Sequence, residues 1–464
     1  MIALTLAEVA GLTGGSIHGA ADPSAVVVSG VVSTDSRECG RGSLYVARVG
    51  EHADGHDYVP AAAERGAVAA LASRVVPGLP CVVVDDVQTA FGRLARGVLA
   101  RAPKLRVVAI TGSSGKTSTK DLLASVLAAH GETVAPRNSL NGEIGVPLTV
   151  CRVTPATQFL VAEMGARGVG HIAYLTTIAP PDIAIVLNVG TAHVGEFGSR
   201  ENIAVAKGEL PESLSPDGLA ILNADDPLVV AMRSRTTARV QLVGLSPEAD
   251  VRGVDVSLSE LGQASFTLVT PVGERRVALG LNGAHHVGNA LAVAAACLEL
   301  GLGIDEIVAG LEAARALSRW RMEVTHREDG VLIVNDAYNA NPESMRAALD
   351  TLRAMKAAGR RWAVLGEMLE LGAQSAAEHA SVGAYAAGLG IDRLVAVGDG
   401  ARHYGAADWL PDTDAAHAFL VQQLRPGDVV LLKSSRDCGL RWLGDRLAGI
   451  AGDDHIDEEG TIKQ

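Results

Sequence analysis

A chain of 464 residues has room for about three domains at roughly 150 residues each. Hydrophobic residues make up 48% and aromatics only 3%, so the cores must be built from Ala, Val, Leu and Ile, which suits an α/β fold. The net charge of −13 argues against a general nucleic-acid binder, which needs a basic surface, but leaves room for an anionic small substrate in a local basic pocket.

The opening "MIALTLAEVAGLTGG" lacks the basic start and long apolar core of a signal peptide, and no apolar run reaches membrane-spanning length. The five cysteines are odd in number and never at C-x-x-C spacing, so reduced thiols in a cytoplasmic protein are expected, not a disulfide framework or a zinc site. Residues 1–86 read as a small α/β unit, with strands in "SAVVVSGVVSTDSR" and "GSLYVARVG", a helix through "YVPAAAERGAVAALAS" and a short strand "CVVVDD". A helix in "VQTAFGRLARGVLARAPKLR" opens a second unit, 87–318. There "LRVVAIT", "TQFLVAEM", "PDIAIVLNV" and "LAILNADDP" are continuous apolar runs, as expected of strands buried on both faces of a parallel sheet. Residues 250–280 read as a β-rich insertion, and "GNALAVAAACLELGL" as a helix. From 319 to 464 strands ("VLIVNDAY", "RRWAVLGEM", "IDRLVAVG", "DVVLLKSS") alternate with helices ("PESMRAALDTLRAM", "SAAEHASVGAYAAGLG"), predicting a second doubly wound unit of Rossmann type.

The chemistry starts at "TGSSGKTS", Thr111 to Ser118. The common phosphate-loop pattern needs a glycine where this chain has Ile110, yet the loop sits between a predicted strand and a predicted helix, as such loops do. Gly112 and Gly115 allow a tight turn around Ser113 and Ser114, and the helix start favours an anion. Lys116 can reach outer phosphates, and the Thr117 hydroxyl can meet Mg²⁺. Glu163 closes a predicted parallel strand, where it is either a magnesium ligand or an ordinary strand-end charge. His193, in "GTAHVGEFG", lies at the same sheet edge and reads as a metal or phosphate partner. By residue type Lys207 reads as a surface lysine, with a phosphate contact as the alternative. "VNDAYNANPESM" and "STDSR" are polar clusters that ordinary turn chemistry also explains.

Together these segments resemble the Mur ligase family, ATP-dependent amide-bond-forming enzymes of peptidoglycan synthesis. The family uses a shortened T-G-x-x-G-K-[ST] loop, which "TGSSGKTS" fits. Within it, "NSLNGEIGVPLT", "NVGTAHVGEFGSRENIAVAKGEL", "VNDAYNANPESM" and "AVLGEMLELG" resemble the member that joins D-alanyl-D-alanine to UDP-N-acetylmuramoyl-tripeptide. The D-N-P-R motif of the diamino-acid-adding member, the nearest alternative, is absent. The resemblance implies a UDP-sugar-peptide domain at 1–86, with Ser33, Asp35, Ser36 and Arg37 near the uridine diphosphate. It implies an ATP-binding ligase domain at 87–318, and a domain at 319–464 for the dipeptide and part of the nucleotide. It places Lys116 on the γ-phosphate, and Thr117, Glu163, His193 and a carbamylated Lys207 around two Mg²⁺ ions. Asn289, Arg321 and Asp336 would contact base, phosphates and ribose, and Asn141 the nucleotide site. Arg319 offers an alternative to Arg321, and Ser434 stands in "LLKSSR" where the family usually has glycine. A monomer is expected.

Overall fold

A computed structural model describes residues 1–50, 53–191 and 194–450. Among the described residues, three α/β units follow one another along the chain, each built on its own sheet. This is the α/β, three-domain architecture expected from the sequence.

The first unit begins with helix Leu6–Thr13, started by a reciprocal Thr5–Glu8 capping box. Its five-stranded sheet runs, in spatial order, Ser16–His18, Cys81–Val83, Ala67–Ala72, Ser43–Val46 and Val32–Ser33. The expected helix through "AAAERGAVAALAS" is corrected here. Helix Val59–Glu64 ends before Gly66 (φ 102°), and Ala67–Ala72 is the strand at the centre of the sheet. Ala69, Ala70, Leu71 and Ala72 are all 0% exposed. Burial on both faces overrides the helix preference of alanine, and the small side chains let a layer pack closely on each side.

Helix Val87–Leu99, capped by Asp86, packs on both Leu6–Thr13 and the second unit's helices Gly145–Val150 and His171–Ile178. It thus bridges the first two units. The central sheet has nine strands: Gly273–Asn282, Gln263–Thr270, Val251–Leu258, Arg239–Gly244, Leu219–Asn223, Ile183–Val186, Arg106–Thr111, Phe159–Glu163 and Thr133–Val134. The 250–280 segment is no separate insertion. Val251–Leu258 pairs in parallel with Arg239–Gly244, and the next two strands extend the same sheet antiparallel. Gln263–Thr270 alternates between buried and half-buried positions, the pattern of a strand with one face on a core.

The third sheet runs Glu323–His326, Leu332–Asn335, Val429–Lys433, Arg361–Leu365, Arg393–Val397 and Asp408–Leu410, parallel except at its first pair. Among the described residues, no helix is long and apolar enough to cross a membrane, and the five cysteines are free.

Candidate active site

In the central sheet the chain leaves Arg106–Thr111 to one side, to Thr133–Val134 and Phe159–Glu163, and then returns to Ile183–Val186 on the other. This reversal opens a crevice at the carboxyl ends of the strands, where open α/β sheets bind ligands. A cavity of about 740 Å³ lies there, lined by residues of all three units.

The loop after Arg106–Thr111 forms its floor. Gly115 has φ 80°, and a Cβ there would lie 2.9 Å from Asn289 Oδ1, so glycine is needed on both counts. Helix Lys116–Ala128 starts immediately afterwards, its amino end towards the cavity. The loop is tied to the end of the neighbouring strand. Ser113 N donates to Asn188 O at 3.1 Å, Ser114 N to Asn188 Oδ1 at 2.9 Å, and Gly190 N to Ser113 Oγ at 2.9 Å. Lys116 Nζ folds back onto Gly112 O at 2.7 Å. These ties fix the loop, and the helix start and the lysine it presents to the cavity suit phosphate.

Glu163 sits at the register position beside Ile110 and is 1% exposed. Its Oε1 accepts from Ser139 Oγ (2.8 Å) and Asn141 Nδ2 (2.7 Å), while Oε2 is buried with no hydrogen-bond partner. An orphaned carboxylate oxygen near the Thr117 hydroxyl fits a hard cation. Among the described residues, no three His, Cys, Asp or Glu side chains gather as a metal cage. A buried carboxylate oxygen without a partner, beside a phosphate-binding loop, is a donor set of the kind Mg²⁺ takes, since it binds one or two carboxylates and completes its shell with phosphate and water. His193 lies outside the described residues.

Lys207 corrects the surface reading. It lies within helix Arg200–Glu212, is 5% exposed and lines the cavity. Burial, then the nearby Lys116, push its amine well below the usual lysine range. Lys116 is lowered as well, by burial first, with Glu163 opposing and Arg321 reinforcing the shift.

The third unit closes over the loop. Arg321 Nη2 donates to Thr117 Oγ1 at 2.9 Å, its guanidinium lies 4.2 Å over the Tyr338 ring, and its Nε is buried without a partner. Arg319 turns away to Asp445 (3.0 Å), so Arg321 is the arginine of the cavity. Asn141, Asn289 and Asp336 also line it. Asp336 is joined there by Lys433, whose Nζ lies 2.6 Å from its Oδ2. Glu343 accepts from Thr191 N (3.0 Å) and Thr191 Oγ1 (3.1 Å). Sequence reasoning missed Lys433 and Glu343. Attention to "LLKSSR" went to Ser434, which is fully buried and donates to Ser435 O, rather than to the preceding lysine.

Ser33, Asp35, Ser36 and Arg37 lie in the first unit outside this cavity's lining. Ser33 Oγ donates to Glu38 Oε2 (2.8 Å), and Asp35 caps the short turn Ser36–Glu38 while pairing with Arg37 at 2.7 Å. Thr111 lies beneath the loop with its hydroxyl buried and unpartnered.

The chain matches the Mur ligase middle domain over residues 110–297, the Mur ligase glutamate ligase domain over 320–436, and the Mur ligase family catalytic domain over 30–96. It is 45% identical to the UDP-N-acetylmuramoyl-tripeptide–D-alanyl-D-alanine ligase of Mycobacterium tuberculosis, across 96% of this chain and 98% of that one. The chain belongs to the Mur ligase family. Solved structures of related Mur ligases agree in shape. MurF from Acinetobacter baumannii superposes with a TM-score of 0.88 at 32% identity, covering 96% of this chain and 99% of that one. MurF from Thermotoga maritima, solved in complex with ADP, gives 0.81 at 29% identity, covering 91% and 98%. In this Mur ligase Ile110, where the commoner loop pattern would have glycine, is a buried residue of the strand that feeds the loop.

Proposed function

We propose that this Mur ligase joins D-alanyl-D-alanine to UDP-N-acetylmuramoyl-tripeptide in the cytoplasm, consuming ATP and giving the pentapeptide nucleotide, ADP and phosphate. The observation that carries this is near full-length identity of 45% to a ligase of that name, in a chain whose phosphate cradle opens into a cavity shared by three units.

A carboxylate is a poor electrophile, so the tripeptide's terminal carboxylate first attacks the γ-phosphorus of ATP. ADP leaves and an acyl phosphate forms. The amine of the dipeptide then attacks the acyl carbon, loses a proton, and the tetrahedral intermediate expels phosphate. No enzyme nucleophile is required, and the protein's work is positioning and charge neutralisation. Residues 111–118 cradle the phosphates, Lys116 leaves Gly112 O for the γ-phosphate, and Arg321 brings its free Nε to the same group. Asn289 faces the base, Asp336 accepts from the ribose, and Asn141 helps to fix Glu163. The first unit holds the nucleotide-sugar near Ser33, Asp35, Ser36 and Arg37. Thr117, Glu163, His193 and Lys207 would hold two Mg²⁺, which supply neutralisation of the polyphosphate charge when bound. The depressed amine of Lys207 supports carbamylation, since only a neutral amine adds CO₂. The adduct turns a buried cation into an oxygen-donating anion.

Phosphate release decides the matter. With ATP and the tripeptide nucleotide, release is expected only when D-alanyl-D-alanine is added. Release that depends on a single diamino acid instead assigns the chain to another step of the family.

A further inference from the structure

Lys433 is 3% exposed in its side chain, yet the proposed reaction assigns it no step. Its ammonium makes three contacts, to Asp336 Oδ2 (2.6 Å), Asn339 O (3.0 Å) and Asp336 O (3.4 Å). The other oxygen of Asp336, Oδ1, accepts from Met322 N at 3.0 Å. Met322 has φ 52°, a left-handed backbone that a long side chain adopts only when its surroundings hold it there. Immediately before it stands Arg321, bonded to Thr117. Trp320, also left-handed at φ 58°, is fixed separately, its indole on Asp445 at 3.0 Å and its amide on Glu323 at 2.9 Å. Asp336 is thus the anchor of the turn through Trp320 to Met322, and Lys433, bonded to its other oxygen, is what orients that carboxylate.

We infer that Lys433 is a positioning residue: through Asp336 it keeps Met322 left-handed and so aims Arg321 at the phosphate loop. The inference rests on the ATP-ligase reading for its kinetic consequence, but not for its structural one. Each Asp336 oxygen still has a lone pair for a ribose hydroxyl, so the two roles of Asp336 are compatible.

Two measurements test it on the full chain. Hydrogen exchange over residues 318–323 should speed up at least tenfold in Lys433→Met, while the melting curve stays cooperative. In the kinetics, Lys433→Met should lower kcat/KM for ATP by tenfold or more and move KM for D-alanyl-D-alanine less than twofold. In an Arg321→Ala background the same change should add less than a further twofold, because the residue it aims is already gone. Lys433→Arg should recover part of the loss. If Lys433→Met does not fold, Lys433→Arg takes its place in the cycle, since it keeps the charge without the compact three-donor head. Unchanged exchange, additive losses with Arg321→Ala, or a rise confined to KM for the dipeptide would each overturn the inference. Failure of the unmodified enzyme to release phosphate on dipeptide addition overturns the ligase reading alone and leaves the exchange result to decide this one.

Discussion

Lys116 is held in a site that costs stability. Burial pushes its amine down, and only Glu163 among its named neighbours opposes the shift. Buried, incompletely paired charges are a poor way to stabilise a fold and a good way to meet an anion. Lys116→Ala should therefore lower kcat by at least about 100-fold, the range seen when a charge-stabilising group is removed. It should leave the melting temperature unchanged or raise it. Steady-state turnover and calorimetry on one preparation check both halves, and retained turnover would remove Lys116 from the mechanism. At this scale the sequence was informative where chemistry is written into a local motif. Lys116, Thr117 and Glu163 follow from a loop and a strand end. Lys207 does not, because its burial comes from tertiary packing of helix Arg200–Glu212 that no local pattern announces. Asp336 was in view as part of a polar cluster, but Lys433 was not. Nor was their pairing, across 97 residues of chain.

Helices in this protein are anchored by one another as well as by the sheets. Glu209, on the helix that carries Lys207, is 7% exposed and caps the start of helix His171–Ile178. Its Oε1 accepts from Gly170 N at 2.5 Å and its Oε2 from Ala173 N at 2.9 Å. A carboxylate there meets both the unsatisfied amides and the positive end of the helix. Glu209→Ala should cost about 2–3 kcal/mol, the penalty for stranding buried donors, and speed exchange of amides 170–178. Glu209→Gln should lose about half as much, since its amide oxygen still accepts one bond. Equal losses in the two variants would mean that a neutral acceptor contributes nothing there and that the charge carries the whole effect. The elements themselves were largely legible. "LRVVAIT", "TQFLVAEM" and "PDIAIVLNV" are strands because they are apolar throughout and must be buried on both faces. The miss at Ala67–Ala72 has the same cause seen from the other side. Alanine signals a helix by local preference, and only the layers above and below the sheet make it a strand residue.

The largest scale concerns how the third unit meets the second. Among the described residues, polar contacts between them include Arg321 on Thr117, Gly195 N on Glu370 O at 3.2 Å, the Glu343 carboxylate on Thr191, Asn341 Nδ2 on Ser113 O at 3.5 Å, and Lys356 on Glu260 through its amide (2.8 Å) and its ammonium (2.5 Å). An interface joined by polar contacts of this kind makes relative domain motion the default expectation. Glu343 stands in the first turn of helix Pro342–Ala354, where the helix end favours its charge, and grips a backbone segment that is bonded in turn to Ser113. Closure of the third unit is thereby coupled to the shape of the phosphate loop. A hydrogen bond to a charged group contributes about 1.5–3 kcal/mol, so its loss shifts an open–closed balance by about 10-fold or more. Glu343→Ala should therefore be more extended than the unmodified chain in small-angle scattering and should lower kcat/KM by about 10-fold. An ATP analogue with the tripeptide nucleotide should compact the unmodified chain and do so less in the variant. Gly190→Ala supplies a steric version of the same test. Its methyl would lie 2.9 Å from the Glu343 carboxyl carbon, obstructing the contact while keeping both charge and helix intact. If both variants scatter like the unmodified protein with and without ligands, Glu343 does not govern closure and is only a helix-start residue that happens to touch its neighbour.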